Sequence, residues 1–284
     1  MTKPQKPARP RKRSIFTERL PKPGTLPSFP ATDPGPWRLN KYVAHSGLCS
    51  RRKAADMIKE GRVEVNGAIQ IDPSVLVTDI DKIVIGGNAV KRQTQLVYLL
   101  LNKPKNTITS LDDERDRSTI IDLLGPEVKE KVFPVGRLDR NTTGLILLTN
   151  DGDLANKLAH PSNKVKKIYH VVLDKDVTKA DMEKIRKGLK LDDGIAEIEG
   201  VEYVDGKSKS EVGITIHIGR NRIVRRIFEY LGYSVVKLDR VYFAGLTKKD
   251  LARGKYRALI EREVIMLKHF SSGKKIPKDQ APTT

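Results

Sequence analysis

The sequence predicts an α+β fold, in which a small unit with two helices precedes a larger domain built on a mainly antiparallel mixed sheet. Two observations carry this reading. Strand-like apolar runs at 144–149, 168–173, 195–204, 211–218 and 234–243 alternate with helix-like segments at 152–159, 178–188, 221–231 and 261–269. Several strands also follow one another through turns as short as Asp205-Gly206, which suits antiparallel neighbours, whereas parallel ones need a long crossover.

A chain of 284 residues has room for two domains. Nine of its sixteen prolines precede residue 37, so 1–36 reads as a disordered basic arm; 271–284 reads as a flexible tail. The formal charge is +19, of which 1–36 carries +6 and 271–284 carries +2, leaving +11 between them. A body this basic expects a polyanion as partner. The single cysteine, Cys49, allows no internal disulfide and suits a reducing cytosol, so a cytoplasmic protein is expected. No apolar run nears the roughly 18 residues that span a membrane, and the basic N-terminus lacks the apolar stretch of a secretory signal. The five histidines show no ligand spacing, so neither metal nor other cofactor is expected. Nothing suggests more than a monomer.

Residues 37–95 form the small unit. A helix reads over 38–45, closed by Gly47. Ser50 is a good N-cap for a second helix over 51–60, with Ala54, Met57 and Ile58 on one face and Gly61 as its stop. Val63-Glu64-Val65 runs into the turn Asn66-Gly67, and Ile83-Val84-Ile85 into Gly86-Gly87. The second helix opens with Arg51-Arg52-Lys53. Cations there oppose the helix macrodipole, which makes sense if an external phosphate sits at that end; a solvated charged face is the plainer alternative. The run Arg38-Leu39-Asn40-Lys41-Tyr42-Val43-Ala44, with Gly47-Leu48-Cys49-Ser50-Arg51-Arg52, Ile58, Gly61-Arg62-Val63 and Val65-Asn66-Gly67, resembles an S4 RNA-binding domain. The resemblance implies recognition of folded rRNA through shape and backbone, with Arg38, Lys41, Arg51, Arg52 and Lys53 as contacts.

The larger domain, 96–270, begins with the apolar run Val97–Leu101 and contains Gly136-Arg137-Leu138-Asp139-Arg140-Asn141-Thr142-Thr143-Gly144-Leu145. From spacing alone Asp139 reads first as a turn cap. Set between two arginines, however, its carboxylate would stay ionised, as a nucleophile or base must. The segment resembles the signature of pseudouridine synthases of the RsuA/RluB group, and three further stretches match in order. Leu101-Asn102-Lys103-Pro104-Lys105-Asn106 resembles the first family motif, with Asn106 where glycine is usual; Asn tolerates the positive φ such a turn needs. It is taken as structural support. Lys166-Lys167-Ile168-Tyr169 matches a later motif, and Gly219-Arg220-Asn221-Arg222-Ile223-Val224-Arg225-Arg226 the last. There Asn221 would cap a helix with the apolar stripe Val224, Ile227, Phe228 and Leu231.

The resemblance implies that Asp139 is the catalytic carboxylate and that Arg137 holds the target nucleotide out of its stack. Tyr169 would lie against the flipped base and Arg225 would pair with Asp139, while Lys167 and Arg222 would contact RNA. The run Asp151–Pro161 is nearer the large-subunit members, which implies a uridine in large-subunit rRNA, or in a ribosomal precursor particle, as substrate. Two alternatives remain on sequence alone: a non-catalytic RNA-binding assembly factor, and a carboxylate-based glycosidase. The latter would want a second cooperating carboxylate.

Overall fold

The computed structural model describes residues 26–31, 33, 35–111, 113 and 115–269. In the small domain Ser50 takes an extended backbone and its Oγ accepts from Lys53 N at 3.2 Å, starting helix α2 (Arg51–Lys59) after α1 (Leu39–His45). Ala54 and Ile58 of α2 bury against Leu39, Tyr42 and Val43 of α1 and against Trp37, Val63 and Ile83. Beneath lies an antiparallel sheet ordered Ala68–Gln70, Val63–Val65, Ile83–Ile85, Asn88–Val90. Asn66 and Gly67 both have positive φ, the geometry that a two-residue hairpin requires between Val65 and Ala68.

Part of the arm expected over 1–36 is described and packs on the folded body. Residues 1–25 lie outside the described residues, as does the tail 271–284. Phe29–Pro30, however, pairs with Gln95–Leu96, and the Phe29 ring meets Tyr98 edge-on at 5.6 Å between centroids. Asp33 then accepts from Trp37 Nε1 at 2.7 Å. Proline-rich composition hid the aromatic anchor Phe29.

The large domain carries a nine-stranded sheet. Its order is Gly200–Tyr203, Glu211–Ile216, Lys167–Leu173, Val235–Phe243, Thr143–Thr149, Tyr98–Lys103 and Tyr256–Ala258, with Phe133–Pro134 and Leu246–Thr247 attached to its middle strands. The two central runs are buried on both sides, which explains their unbroken apolar sequence. Leu99, Leu101, Ile146 and Leu148 face helices α4 (Lys179–Arg186) and α5 (Ile223–Tyr230). Tyr98, Leu100, Leu145 and Leu147 face α3 (Gly152–Ala159) and α6 (Glu261–Lys268).

Two expectations are corrected. The strand over 195–204 is two: Gly194–Ala196 forms a hairpin with Leu189–Leu191, and Gly200–Tyr203 joins the edge of the main sheet. The last motif's helix starts at Ile223, and Asn221 does not cap it. The chain enters through Arg222 in a left-handed conformation (φ 44°), where no side chain caps the helix.

All pairings in the main sheet are antiparallel except one. Thr143 and Gly144 pair in parallel with Asp239 and Arg240. Gly144 sits at φ 103°, and a Cβ there would press on the Arg240 carbonyl oxygen and lie 2.5 Å from its backbone nitrogen. Only glycine lets the strands approach so closely.

Candidate active site

A cavity of about 150 Å³ opens beside this parallel contact, room for one six-membered ring. The loop that precedes the Thr143–Thr149 strand forms one wall. Gly136 turns it with positive φ, and Leu138 is buried and clamped, its N–H donating to Thr109 Oγ1 at 3.1 Å and its carbonyl accepting from that hydroxyl at 2.7 Å. Leu138 and its neighbours Arg137 and Asp139 all line the cavity. The turn is closed by the backbone, Thr142 N–H donating to the Asp139 carbonyl at 3.0 Å. The Asp139 carboxylate instead faces Arg225, Oδ2 to Nε 3.9 Å, a distance of electrostatic contact rather than of a hydrogen bond.

Arg225 is fixed by donating to the Val235 carbonyl at 3.0 Å. Burial, then the nearby Arg222, pushes its pKa down, and Asp139 opposes them; a guanidinium stays charged regardless. Arg222 lines the cavity with its guanidinium 3.2 Å from Glu229. Tyr169 comes from the opposite wall. The ladder between its strand and Val235–Phe243 slips between Ile168 and Tyr169, which sets Tyr169 opposite Arg240; such an irregularity re-aims a side chain. The neighbouring His170 faces away and pairs with Glu211 at 2.8 Å. Lys167 also lines the cavity, its Nζ donating to the carbonyls of Val165 and His217 at 3.0 and 2.8 Å. Burial first, and Arg240 second, push its pKa from the ordinary 10.5 to about 8.

The structure thus gathers Arg137, Asp139, Lys167, Tyr169 and Arg222 around one space, with Arg225 beside Asp139. The cations of the small domain stand apart from it. Arg38, Arg51, Arg52 and Lys53 are exposed at the starts of α1 and α2, with Arg51 Nε donating to Asn40 Oδ1 at 3.2 Å. Lys41 is placed differently, between Asp33 (3.3 Å) and Asp153 of α3 (2.9 Å), bridging the two domains. Among the described residues no three His, Cys, Asp or Glu side chains cluster as metal ligands do, and no helix is long and apolar enough to cross a membrane.

Three residues of the site escape sequence reasoning. Lys103 is fully buried and its Nζ donates to the carbonyls of Pro104, Thr107 and Arg140, at 3.0, 2.7 and 3.2 Å. Asn106, at φ 65°, donates its N–H to the same Arg140 carbonyl at 3.0 Å. The first motif therefore grips the residue that follows Asp139. Thr142 and Arg240, both buried, line the cavity as well.

A family model described as RNA pseudouridylate synthase matches residues 97–230, and an S4 domain model matches 37–83. Ribosomal large subunit pseudouridine synthase B of Bacillus subtilis is 40% identical over 234 residues, 81% of this chain and 95% of that protein. The protein of the same name from Vibrio cholerae is 36% identical over 240 residues, covering 82% of this chain and 74% of its own length. A solved structure of a pseudouridylate synthase matches with a TM-score of 0.60 at 31% identity, covering 81% of this chain and 99% of that one. The resemblance carried by the motifs is borne out, and the chain belongs to the RNA pseudouridine synthases of the RsuA/RluB group, a synthase domain preceded by an S4 domain.

Proposed function

We propose that the protein converts one uridine of large-subunit rRNA into pseudouridine, with Asp139 as the catalytic carboxylate. One observation carries the reading: Asp139 faces Arg225 at 3.9 Å at the edge of a ring-sized cavity that Tyr169 lines from the other side. A nucleotide flipped from its stack places its base there, at a cost of a few kcal/mol. Tyr169 offers the ring a stacking surface, Arg137 stands where the backbone enters, and the Arg225 guanidinium orients Asp139. The glycosidic bond is cleaved, the uracil turns, and the ring rejoins the sugar through carbon. The product has the same atoms and electron count as the substrate, so the chemistry calls for no redox cofactor. The small domain contributes the phosphate grip, through Arg38, Arg51, Arg52 and Lys53. The large subunit is suggested by the names of the Bacillus and Vibrio relatives.

The test is tritium release from rRNA labelled at uridine C5, comparing wild type with Asp139→Ala, on naked rRNA and on precursor particles. Release by wild type alone is expected. Equal release by the variant removes Asp139 from the chemistry, and no release from any ribosomal substrate leaves an RNA-binding assembly role. Mapping of pseudouridine in both rRNAs of a deletion strain then locates the uridine.

A further inference from the structure

Among the described residues three buried side-chain polar atoms have no hydrogen-bond partner: Thr142 Oγ1, His170 Nε2 and Arg240 Nη2. His170 Nε2 lies 2.8 Å from a Glu211 carboxylate oxygen, outside the site. The residues that carry the other two, Thr142 and Arg240, both line the cavity that holds Asp139. Native proteins rarely leave such groups unsatisfied, and a site completed by its ligand is one of the few reasons they do.

Their surroundings restrict what that ligand offers. Arg240 is only 2% exposed; its Nε donates to the Leu145 carbonyl at 2.7 Å and its guanidinium lies over the Phe243 ring. It is thus held rigidly, and an arginine can only donate. Thr142 is likewise 2% exposed, and its hydroxyl rotates to donate or accept. Arg137 and Arg222 are exposed, so they stand at the mouth while Thr142 and Arg240 lie deep. Leu138, Ile216, Val224, Leu238 and Phe243 make much of the remaining wall apolar. A phosphate stays with the strand at the mouth; what reaches the depth is the ring.

We infer that Thr142 Oγ1 and Arg240 Nη2 donate hydrogen bonds to a carbonyl oxygen of the flipped uracil, reading the base and holding its charge while it is detached from the sugar. This rests on the uridine-isomerising activity proposed above. When the bond from C1′ to N1 breaks, its electron pair stays on N1 and the negative charge spreads to the ring oxygens. C5 then bonds to C1′ and loses its proton, and N1 takes one up, so the product is an isomer. Donors fixed toward those oxygens hold the charged ring more tightly than the neutral one, which accelerates the step. Cytosine replaces the oxygen at C4 with an amino donor, so a donor pair set against that position also rejects it.

The test is single-turnover tritium release by the full-length protein, using RNA labelled at C5 of the target uridine or of its 2-thio or 4-thio analogue. Thr142→Val keeps the shape and removes the hydroxyl; Thr142→Ser restores it. On uridine, Thr142→Val is expected to slow release by about 100-fold with RNA affinity and urea midpoint near wild type, and Thr142→Ser to recover most of the rate. On one thio-substrate, whose sulfur accepts poorly, wild type slows and Thr142→Val adds little further loss. Equal rates for all three proteins overturn the inference, as do equal losses for Val and Ser, a wild type indifferent to both sulfur substitutions, or losses that simply multiply. If wild type releases no tritium from any uridine RNA, the proposed activity falls and the donor pair with it.

Discussion

Lys103 Nζ lies 3.2 Å from the carbonyl oxygen of Arg140, and Asn106 N–H donates to that same oxygen from the end of the same turn. A fully buried ammonium, which is costly to hold, thus serves to fix the backbone beside the carboxylate. Replacing it with methionine leaves the carbonyls of Pro104 and Thr107 without this donor. Lys103→Met is expected to lower stability by about 2 kcal/mol, read from urea denaturation. Tritium release should fall at the same time, while RNA affinity stays unchanged.

Lys103 and Lys167 both have pKa values pushed down to about 8, in each case chiefly by burial. The unfolded chain keeps these amines protonated up to the ordinary value of 10.5. Between pH 8 and 10 the unfolded state therefore binds more protons than the folded one, and these residues make stability rise with pH. Urea midpoints across that window should climb, and Lys103→Met with Lys167→Met should flatten the climb. A wild-type midpoint that falls through the window contradicts it, unless the double variant falls more steeply.

Arg225 is anchored by Val235 and stands 3.9 Å from Asp139. Arg225→Met is expected to lower the single-turnover rate by about 100-fold or more with little change in RNA affinity. Arg225→Lys restores the charge but not the planar fork, so only part of the rate should return.

The small domain's cations make separable contributions. Arg52 is exposed with Arg51 and Lys53 at the start of α2, whereas Lys41 is engaged by two carboxylates. Arg52→Ala should reduce the slope of log affinity against log salt by about one. Lys41→Ala should change that slope less. A filter-binding salt titration of the two variants decides the matter.

Gly144→Ala places a methyl group against the Arg240 backbone at a φ that side chains avoid. Closure of the parallel contact then fails, at about 3 kcal/mol or more. Urea denaturation is expected to show it, and a variant as stable as wild type would mean the strands can part without cost.

Local pattern made much of this legible. Ser50 as a cap, the Asn66-Gly67 turn, the positive φ of Asn106 and the strands that became Thr143–Thr149 and Lys167–Leu173 all depend on neighbours within a few residues. The pairing of Asp139 with Arg225 was reached through the family motifs, not through spacing. Thr142 and Arg240 remained out of view for a physical reason. Their unpaired atoms acquire meaning only when strands 95 residues apart lie side by side, as the bond from Arg240 to Leu145 shows. Lys103 was hidden because a lysine after an apolar run reads as the point where a strand reaches solvent, and here the run continues inward. Asn221 failed as a cap because the chain turns left-handed at Arg222 before the helix begins.

The parallel contact covers only two residue pairs, and much of what reinforces it is contributed by side chains: Arg240 to Leu145, Thr143 to Leu238 and Asp239, and Lys248 and Arg253 to Asp239. The sheet is in effect two panels joined along a stitched seam, with Asp139 and Thr142 on one bank and Tyr169 and Arg240 on the other. The width of the cavity is therefore a property of that stitching, and a substitution that loosens a stitch is expected to shift the two banks against each other.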